Sequence, residues 1–326
     1  MRAKGIAILG LGNHAINRIL PAIEFSNFID LIGVCSRNAT TVNSCSKTLS
    51  CIGWTDHHKM LENPNVDIVY ISTPISTHFD FAYQALKAGK HVWCEKPLCC
   101  SFSNVQDLVN VAQENNKMLA ESFMYLYHPQ FEDVKRYSTN KLRSVHSISS
   151  KFGIPNLENP GFRNSPELCG GAFWDVGSYP ISVMISLYPE SNVKVLFAEI
   201  IKKKNNLVDS EGRAILRFSN DTSAYIEWGV GMGYKNEIEI WSNEGSLYTD
   251  KIFSKPVDYQ PIFKIQDKQG NTTIKYGKIS DQFVEMFKTF NSMLDSPDRI
   301  VNEYKLIVKR ARVMDEIIKY TNLTSQ

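Results

Sequence analysis

The chain has 326 residues, 43% of them hydrophobic and 21% charged, with a formal net charge of +2 at pH 7. That length and apolar content suffice for two sizeable cores, while the near-neutral charge removes any electrostatic case for a nucleic-acid or membrane-surface partner. Cysteines at positions 35, 45, 51, 94, 99, 100 and 169 form no Cys-x-x-Cys pair and no paired Cys/His ligand spacing, so reduced thiols in a cytoplasm and no bound metal are expected.

The first predicted element is an apolar strand from Gly5 that runs into Gly10-x-Gly12-x-x-Ala15 and then a helical pattern. Gly10 suits a tight turn, Gly12 lets the backbone approach a pyrophosphate, and Ala15 lets the helix pack closely on the strand. The N–H groups of such a helix start point at phosphate, which adds Asn13 and His14 to the cofactor-binding candidates. A second β-rich run, residues 29–35, ends in Ser36-Arg37. An acidic residue there would bind the ribose hydroxyls of NAD and repel a 2′-phosphate, whereas a serine hydroxyl and a guanidinium fork accept one. NADP is therefore expected in preference to NAD.

Residues 66–72 read as a buried strand, 79–88 as a helix, 90–94 as a strand, 103–115 as a helix and 117–122 as a last strand. Strands alternating with helices predict an α/β domain over residues 1–122 with a doubly wound parallel sheet. Two stretches fall at C-terminal strand ends, where such sheets bind ligands: Tyr70-Ile-Ser-Thr73-Pro74 with His78, and a run ending in Glu95-Lys96-Pro97. Thr73, Pro74, His78, Glu95, Lys96 and Pro97 thus join the cofactor-binding set.

From residue 123 the pattern changes. Residues 193–201, 213–218, 223–230 and 237–241 are β-rich, and Ala224, Ile226, Trp228 and Val230 alternate with polar or small residues. Short turns at 219–221 and 243–245 join neighbours, so residues 123–326 are expected to form an α+β domain with an open antiparallel sheet, covered on one face. The uncovered face suits a homo-oligomer contact. The tail, residues 280–320, is helical and divided at Ser296-Pro297; its Phe283, Met286, Phe287 and Phe290 stripe is core.

Glu95-Lys96-Pro97 after a strand, followed about 80 residues later by Trp174-Asp175-x-Gly177-x-Tyr179, resembles the Gfo/Idh/MocA family of nicotinamide-dependent oxidoreductases. The resemblance implies an N-terminal Rossmann domain and a C-terminal open antiparallel sheet through which members assemble as dimers or tetramers. Lys96 matches the family's lysine beside the nicotinamide and the substrate oxygen, where an ammonium stabilises developing alkoxide charge; Pro97 is then expected to follow a cis peptide bond. Tyr179 matches the acid/base position, a tyrosine in the branch of dihydrodiol and xylose dehydrogenases and some sugar ketoreductases.

Asp175 precedes Tyr179 by four residues, but Pro180 places the helix start near Ser178. Asp175, in the approach, then orients the substrate, pairs with Lys96 or caps the helix. Residues 120–130 resemble the family's crossover between domains, with Leu126 where many members carry arginine. His128 and Arg163 are substrate-binding candidates. The activity implied is an NADP-dependent hydride transfer to or from a sugar keto or hydroxyl carbon, a nucleotide-linked keto sugar included. The alternatives are a free pentose, polyol or trans-dihydrodiol dehydrogenase and, in another class, a non-catalytic dinucleotide-binding sensor.

Overall fold

The computed structural model describes residues 3–324, with side-chain surroundings up to Thr321. The chain divides into two compact units, residues 1–122 with 283–308, and residues 123–282 with 309–326. The segment 283–308 therefore joins the first unit, which corrects its assignment to the second domain.

The first unit is built on six parallel strands, β1 (Lys4–Leu9), β2 (Ile29–Cys35), β3 (Ile52–Trp54), β4 (Ile68–Ile71), β5 (His91–Cys94) and β6 (Leu119–Glu121), in the order β3-β2-β1-β4-β5-β6. Strand order reverses beside β1, the crevice position for a ligand in a doubly wound sheet. Ile6, Ala7, Ile8, Ile68, Val69, Tyr70 and Ile71 have no exposed surface, as expected of parallel strands covered on both faces. A π-helical turn (Ala15–Ile19) leads into α1 (Leu20–Glu24), followed by α2 (Ala39–Thr48), α3 (His57–Glu62), α4 (His78–Lys87) and α5 (Phe102–Glu114).

The aromatic stripe near the C-terminus explains why 283–308 belongs here. Phe287 packs its ring on Tyr70 and Trp93, and Phe290 on Trp93, at centroid distances of 5.6, 5.8 and 5.3 Å. Tyr304 adds a hydrogen bond from its hydroxyl to the Lys117 carbonyl.

The second unit carries α6 (Pro129–Asn140), α7 (Ser178–Leu187) and an eight-stranded sheet of β7 (Val145–Ile154), β8 (Val193–Ile201), β9 (Glu211–Phe218), β10 (Ser223–Val230), β11 (Lys235–Ser242), β12 (Gly245–Asp250), β13 (Ile262–Asp267) and β14 (Thr272–Tyr276). The order is β14-β13-β12-β11-β7-β10-β9-β8. All pairings are antiparallel except β7 with β10, which run parallel. The sheet is therefore mostly antiparallel, with β7 inserted between strands that follow it in sequence.

Register sorts the two faces. Ala214, Ile226, Ser150 and Ile238 align across β9, β10, β7 and β11 and are buried, with the Ser150 hydroxyl donating to the Glu237 carbonyl at 3.0 Å. Ile215, Tyr225, Ser149 and Glu239 align on the other face. The covered face carries Trp228, whose indole fits between two glycines: a Cβ on Gly177 would lie 3.0 Å from the ring, and one on Gly212 2.4 Å. Two later helices, α8 (Gln282–Met293) and α9 (Pro297–Thr324), complete the chain. Cys35, Cys45, Cys51, Cys94 and Cys99 are free thiols, whereas Cys100 and Cys169 are disulfide-bonded, which corrects the expectation of seven reduced thiols.

Gly212→Val should lower unfolding stability by about 1–3 kcal/mol or more, because the new side chain meets Trp228 and the Glu199 carbonyl in a packed core. Chemical denaturation checks this; an unchanged midpoint would refute the packing argument.

Candidate active site

In the first unit the predicted residues emerge together at the C-terminal ends of the strands. The ladder continues past each strand: Gly10 N–H donates to Cys35 O, Ser72 N–H to Leu9 O and Glu95 N–H to Ile71 O, at 2.9, 2.8 and 2.9 Å. Gly10 turns at φ +101°, and a Cβ there would meet the Ser72 carbonyl at 2.5 Å, so only glycine fits. Nothing lies within 4 Å of a Cβ built on Gly12. Gly12, Asn13 and His14 are exposed at the helix start while Ala15 is fully buried, an arrangement that leaves room for a pyrophosphate on the backbone. At the end of β2, Arg37 is exposed and makes no ion pair among the described residues. Asn38, not Ser36, caps α2, accepting the Thr41 N–H at 3.1 Å.

Lys96, half-buried, sits in a turn held from several sides. Its neighbour Glu95 has one carboxylate oxygen that accepts the Tyr70 hydroxyl at 2.5 Å and lies 2.9 Å from His14 Nε2. Burial pushes the Glu95 carboxyl up, but His14, Tyr70 and Lys96 together hold it below the ordinary carboxylate value. Tyr70 is pushed well up by burial and by Glu95, so its proton stays in that bond. The Lys96–Pro97 peptide is cis, as the resemblance implied. Beyond it, the ring nitrogens of His78 face the carbonyls of Pro97 and Thr73 at 3.0 and 2.9 Å, and Leu98 N–H donates to Glu121 Oε1 at 2.8 Å.

His78 is thus buried with both ring nitrogens turned to backbone carbonyls, and burial lowers its pKa, so the neutral ring donates to one of the two. It ties the Thr73–Pro74 turn to the Lys96–Pro97 turn and offers no free nitrogen to a cofactor, which corrects its place in the binding set. Thr73 and Pro74 are themselves braced by the Thr77 hydroxyl, 2.8 Å from Thr73 Oγ1 and from Pro74 O. Tyr70 and Glu121 were not singled out from sequence, although both lie in or beside the quoted motifs. Elsewhere in this unit Asp56, His57 and His58 bring ligand-type atoms within 4.8 Å of one another, but Asp56 caps the His58 N–H and His57 engages Gln84, each at 2.9 Å.

In the second unit the helix bearing Tyr179 begins at Ala172, with a π-helical turn (Phe173–Gly177) running into α7. The widened turn lies directly ahead of Pro180, which has no N–H to give the preceding turn. Asp175 is therefore inside the helix rather than in its approach. It accepts the Arg163 Nε–H at 2.6 Å, and Arg163 also stacks on Phe162 at 4.9 Å, so the carboxylate orients a guanidinium that is 37% exposed. Tyr179, 7% exposed, points its hydroxyl at the Met124 sulfur at 3.8 Å, within rings of Phe123, Tyr125, Phe152 and Phe253. His128 is fully buried: Nδ1 accepts the Gln130 N–H at 3.0 Å, so Nε2 faces the Ser280 carbonyl at 3.1 Å as donor. Burial, helped by Lys255, holds its pKa to about 4. It caps α6 and presents nothing to a substrate, which corrects that assignment.

Residues 4–123 match the model of an oxidoreductase family with an NAD-binding Rossmann fold, Gfo/Idh/MocA, and residues 136–248 match that family's C-terminal domain. A dTDP-3,4-didehydro-2,6-dideoxy-α-D-glucose 3-reductase from Streptomyces violaceoruber is 30% identical over 83% of this chain and 79% of its own. The chain belongs to the Gfo/Idh/MocA oxidoreductases. Another family member, a reductase of the same description from Streptomyces antibioticus, is 25% identical over 95% of both chains. Among solved structures, a 3-ketoreductase from Actinomadura kijaniata in complex with NADP and TDP-benzene superposes with a TM-score of 0.90 at 25% identity, covering 98% of both chains. Variants of that enzyme with a lysine changed to alanine, or a tyrosine to phenylalanine, match as well. The fold of this Gfo/Idh/MocA chain agrees with the α/β reading made from sequence.

Gly12→Val should fold normally, since open space surrounds the new side chain, yet bind a nicotinamide dinucleotide at least tenfold more weakly because the branched side chain takes the pyrophosphate's place. Thermal melting and fluorescence titration check the two halves; unchanged affinity would remove Gly12 from the site.

Proposed function

We propose that this chain is an NADP-dependent reductase of a nucleotide-linked keto sugar. The reading is carried by the braced Lys96 turn at the strand ends of a dinucleotide-binding sheet, in a chain whose relatives over about four fifths of its length are dTDP-keto-sugar 3-reductases. Ser36, half-buried, and Arg37, exposed, stand beyond β2 where a carboxylate would select NAD, and favour the 2′-phosphate of NADP. When bound, the cofactor supplies the hydride. Lys96 polarises the substrate carbonyl and stabilises the alkoxide as charge develops, and the Tyr179 phenol delivers the proton to that oxygen, completing the alcohol. Arg163, aimed by Asp175 and partly exposed, contacts the anionic or hydroxylated part of the substrate.

The same reading includes a homo-oligomer assembled through the uncovered sheet face. No helix among the described residues is long and apolar enough to cross a membrane. Trp241 on β11 is 57% exposed, and Phe197, Ile215, Ile262 and Tyr276 are exposed on β8, β9, β13 and β14 of the same sheet, apolar surface that a second copy would cover. Sedimentation showing only monomer at micromolar concentration would count against this assembly.

Mixing the protein with NADPH and a panel of nucleotide-linked and free keto sugars, and following reduced-cofactor absorbance, should show turnover with a nucleotide-linked member. Turnover confined to a free pentose or a trans-dihydrodiol with NADP would reassign the substrate, and tight NADPH binding without any turnover would favour a sensor. Lys96→Ala and Tyr179→Phe should each lower kcat by about 100-fold or more while leaving the NADPH Kd within a few-fold. Arg37→Ala should weaken NADPH about tenfold or more and spare NADH, because a charged hydrogen bond to the phosphate is lost; an equal loss for both cofactors would end that assignment.

A further inference from the structure

The helix that carries Asp175 and Tyr179 is held at its start by a residue outside the motifs. Asp209, in the segment leading into β9, accepts the Phe173 N–H on Oδ2 at 2.7 Å and the Ala172 N–H on its own carbonyl at 3.1 Å. Its other carboxylate oxygen lies where a side chain on Gly171 would be: a Cβ there would approach Oδ1 to 2.1 Å, and Gly171 has φ +116°. Gly170 is equally constrained, since a Cβ would meet the Arg163 carbonyl at 2.4 Å. Asp209 is itself anchored to the sheet. The next residue, Ser210, donates its N–H to Ile201 O at 2.9 Å and accepts the Val230 N–H at 2.7 Å.

The opposite end of the same helix is held by a cation. Lys309 Nζ on α9 donates to the carbonyls of Tyr188 and Pro189 at 2.9 and 2.7 Å, and to that of Ser191. A carboxylate at the start and an ammonium at the end both complement the helix dipole and satisfy terminal backbone groups. Two fixed points define where a rod lies along its axis and how it is rotated, and rotation decides where Tyr179 points.

We propose that Asp209 is a positioning residue for Tyr179, fixing the axial place and rotation of its helix by gripping the Ala172–Phe173 backbone against Gly171; the proposal rests on Tyr179 being the proton donor. Burial pushes the Asp209 carboxyl up to about 6, against 3.8 in the free side chain, and the backbone N–H donors only partly offset this. A carboxyl with a raised folded pKa supports stability at low pH and loses that contribution as pH rises through about 4 to 6, so at pH 8 the charge costs stability.

The test uses the full-length enzyme with NADPH and its keto-sugar substrate at pH 8. Asp209→Ala should lower kcat at least tenfold with the NADPH Kd within twofold, and Asp209→Asn, whose carboxamide oxygen still accepts the Phe173 N–H, should restore kcat to within threefold of wild type without lowering the melting temperature. Added to Tyr179→Phe, Asp209→Ala should change kcat less than twofold. Hydrogen exchange should quicken in peptides spanning 172–187 in the alanine variant and stay unchanged in α5. Unaltered exchange, full additivity with Tyr179→Phe, or an equal kcat loss in the Asn and Ala variants would each overturn the proposal. Faster exchange together with a fully active Tyr179→Phe would instead leave Asp209 as the grip on the helix and strike down the Tyr179 assignment. Asp209→Ser, with a shorter acceptor, takes the alanine variant's place in every comparison if that variant does not fold.

Discussion

The hydrogen-bonded brace around the Lys96 turn is the constraint on which the dinucleotide-binding unit depends. A lysine on a four-carbon stem directs its ammonium usefully only if its backbone is fixed, and here the residue before it, the cis bond after it and the two residues beyond are each engaged. Glu95 is gripped by Tyr70 and His14, Pro97 faces His78, and Leu98 donates to Glu121. A largely buried carboxylate is costly unless it is hydrogen-bonded and compensated, and Glu95 has both a phenol donor and an imidazole on one oxygen. Tyr70, which supplies that donor, is in turn packed on Phe287, so a helix from the far end of the chain supports the turn through one aromatic contact.

The sheet unit solves a related problem with a rod. Its covered face is a platform of aligned apolar residues, and Trp228 fits its indole beneath the helix between two glycines. Asp209 and Lys309 grip the helix ends. Tyr179 then stands among aromatic rings with its hydroxyl directed at the Met124 sulfur, and a thioether is a weak acceptor. Asp175, which the sequence left between several roles, accepts a hydrogen bond from Arg163.

Legibility varied from element to element for identifiable reasons. Five of the six strands of the parallel sheet were visible because burial demands apolar runs, whereas β3, three residues long and largely exposed, was not; β9 to β11 were visible because one covered face demands alternation. By contrast β7 reads Val-His-Ser-Ile-Ser-Ser-Lys over its first seven residues, and its buried Ser150 satisfies its hydroxyl on a neighbouring carbonyl, so no apolar period announces it. β14 is exposed along its whole length and carries no burial pattern at all. The helix over 282–293 was legible as core, but a stripe of phenylalanines states that a face is buried without stating against what. Its partners, Tyr70 and Trp93, lie about 200 residues earlier in the chain.

Local chemistry was enough for the turn at Gly10 and Gly12, the Ser36–Arg37 pair, the Lys96 turn and the alternation of strands with helices, because backbone dihedrals and side-chain periods are properties of a few successive residues. The partners of Asp175, the inward turn of His78 and His128, and the grip of Asp209 on Ala172 and Phe173 needed the folded chain. Each of these joins groups that only tertiary packing brings within 3.2 Å. A histidine or aspartate has the same donors and acceptors wherever it stands in a sequence, and burial decides which of them remain available for chemistry.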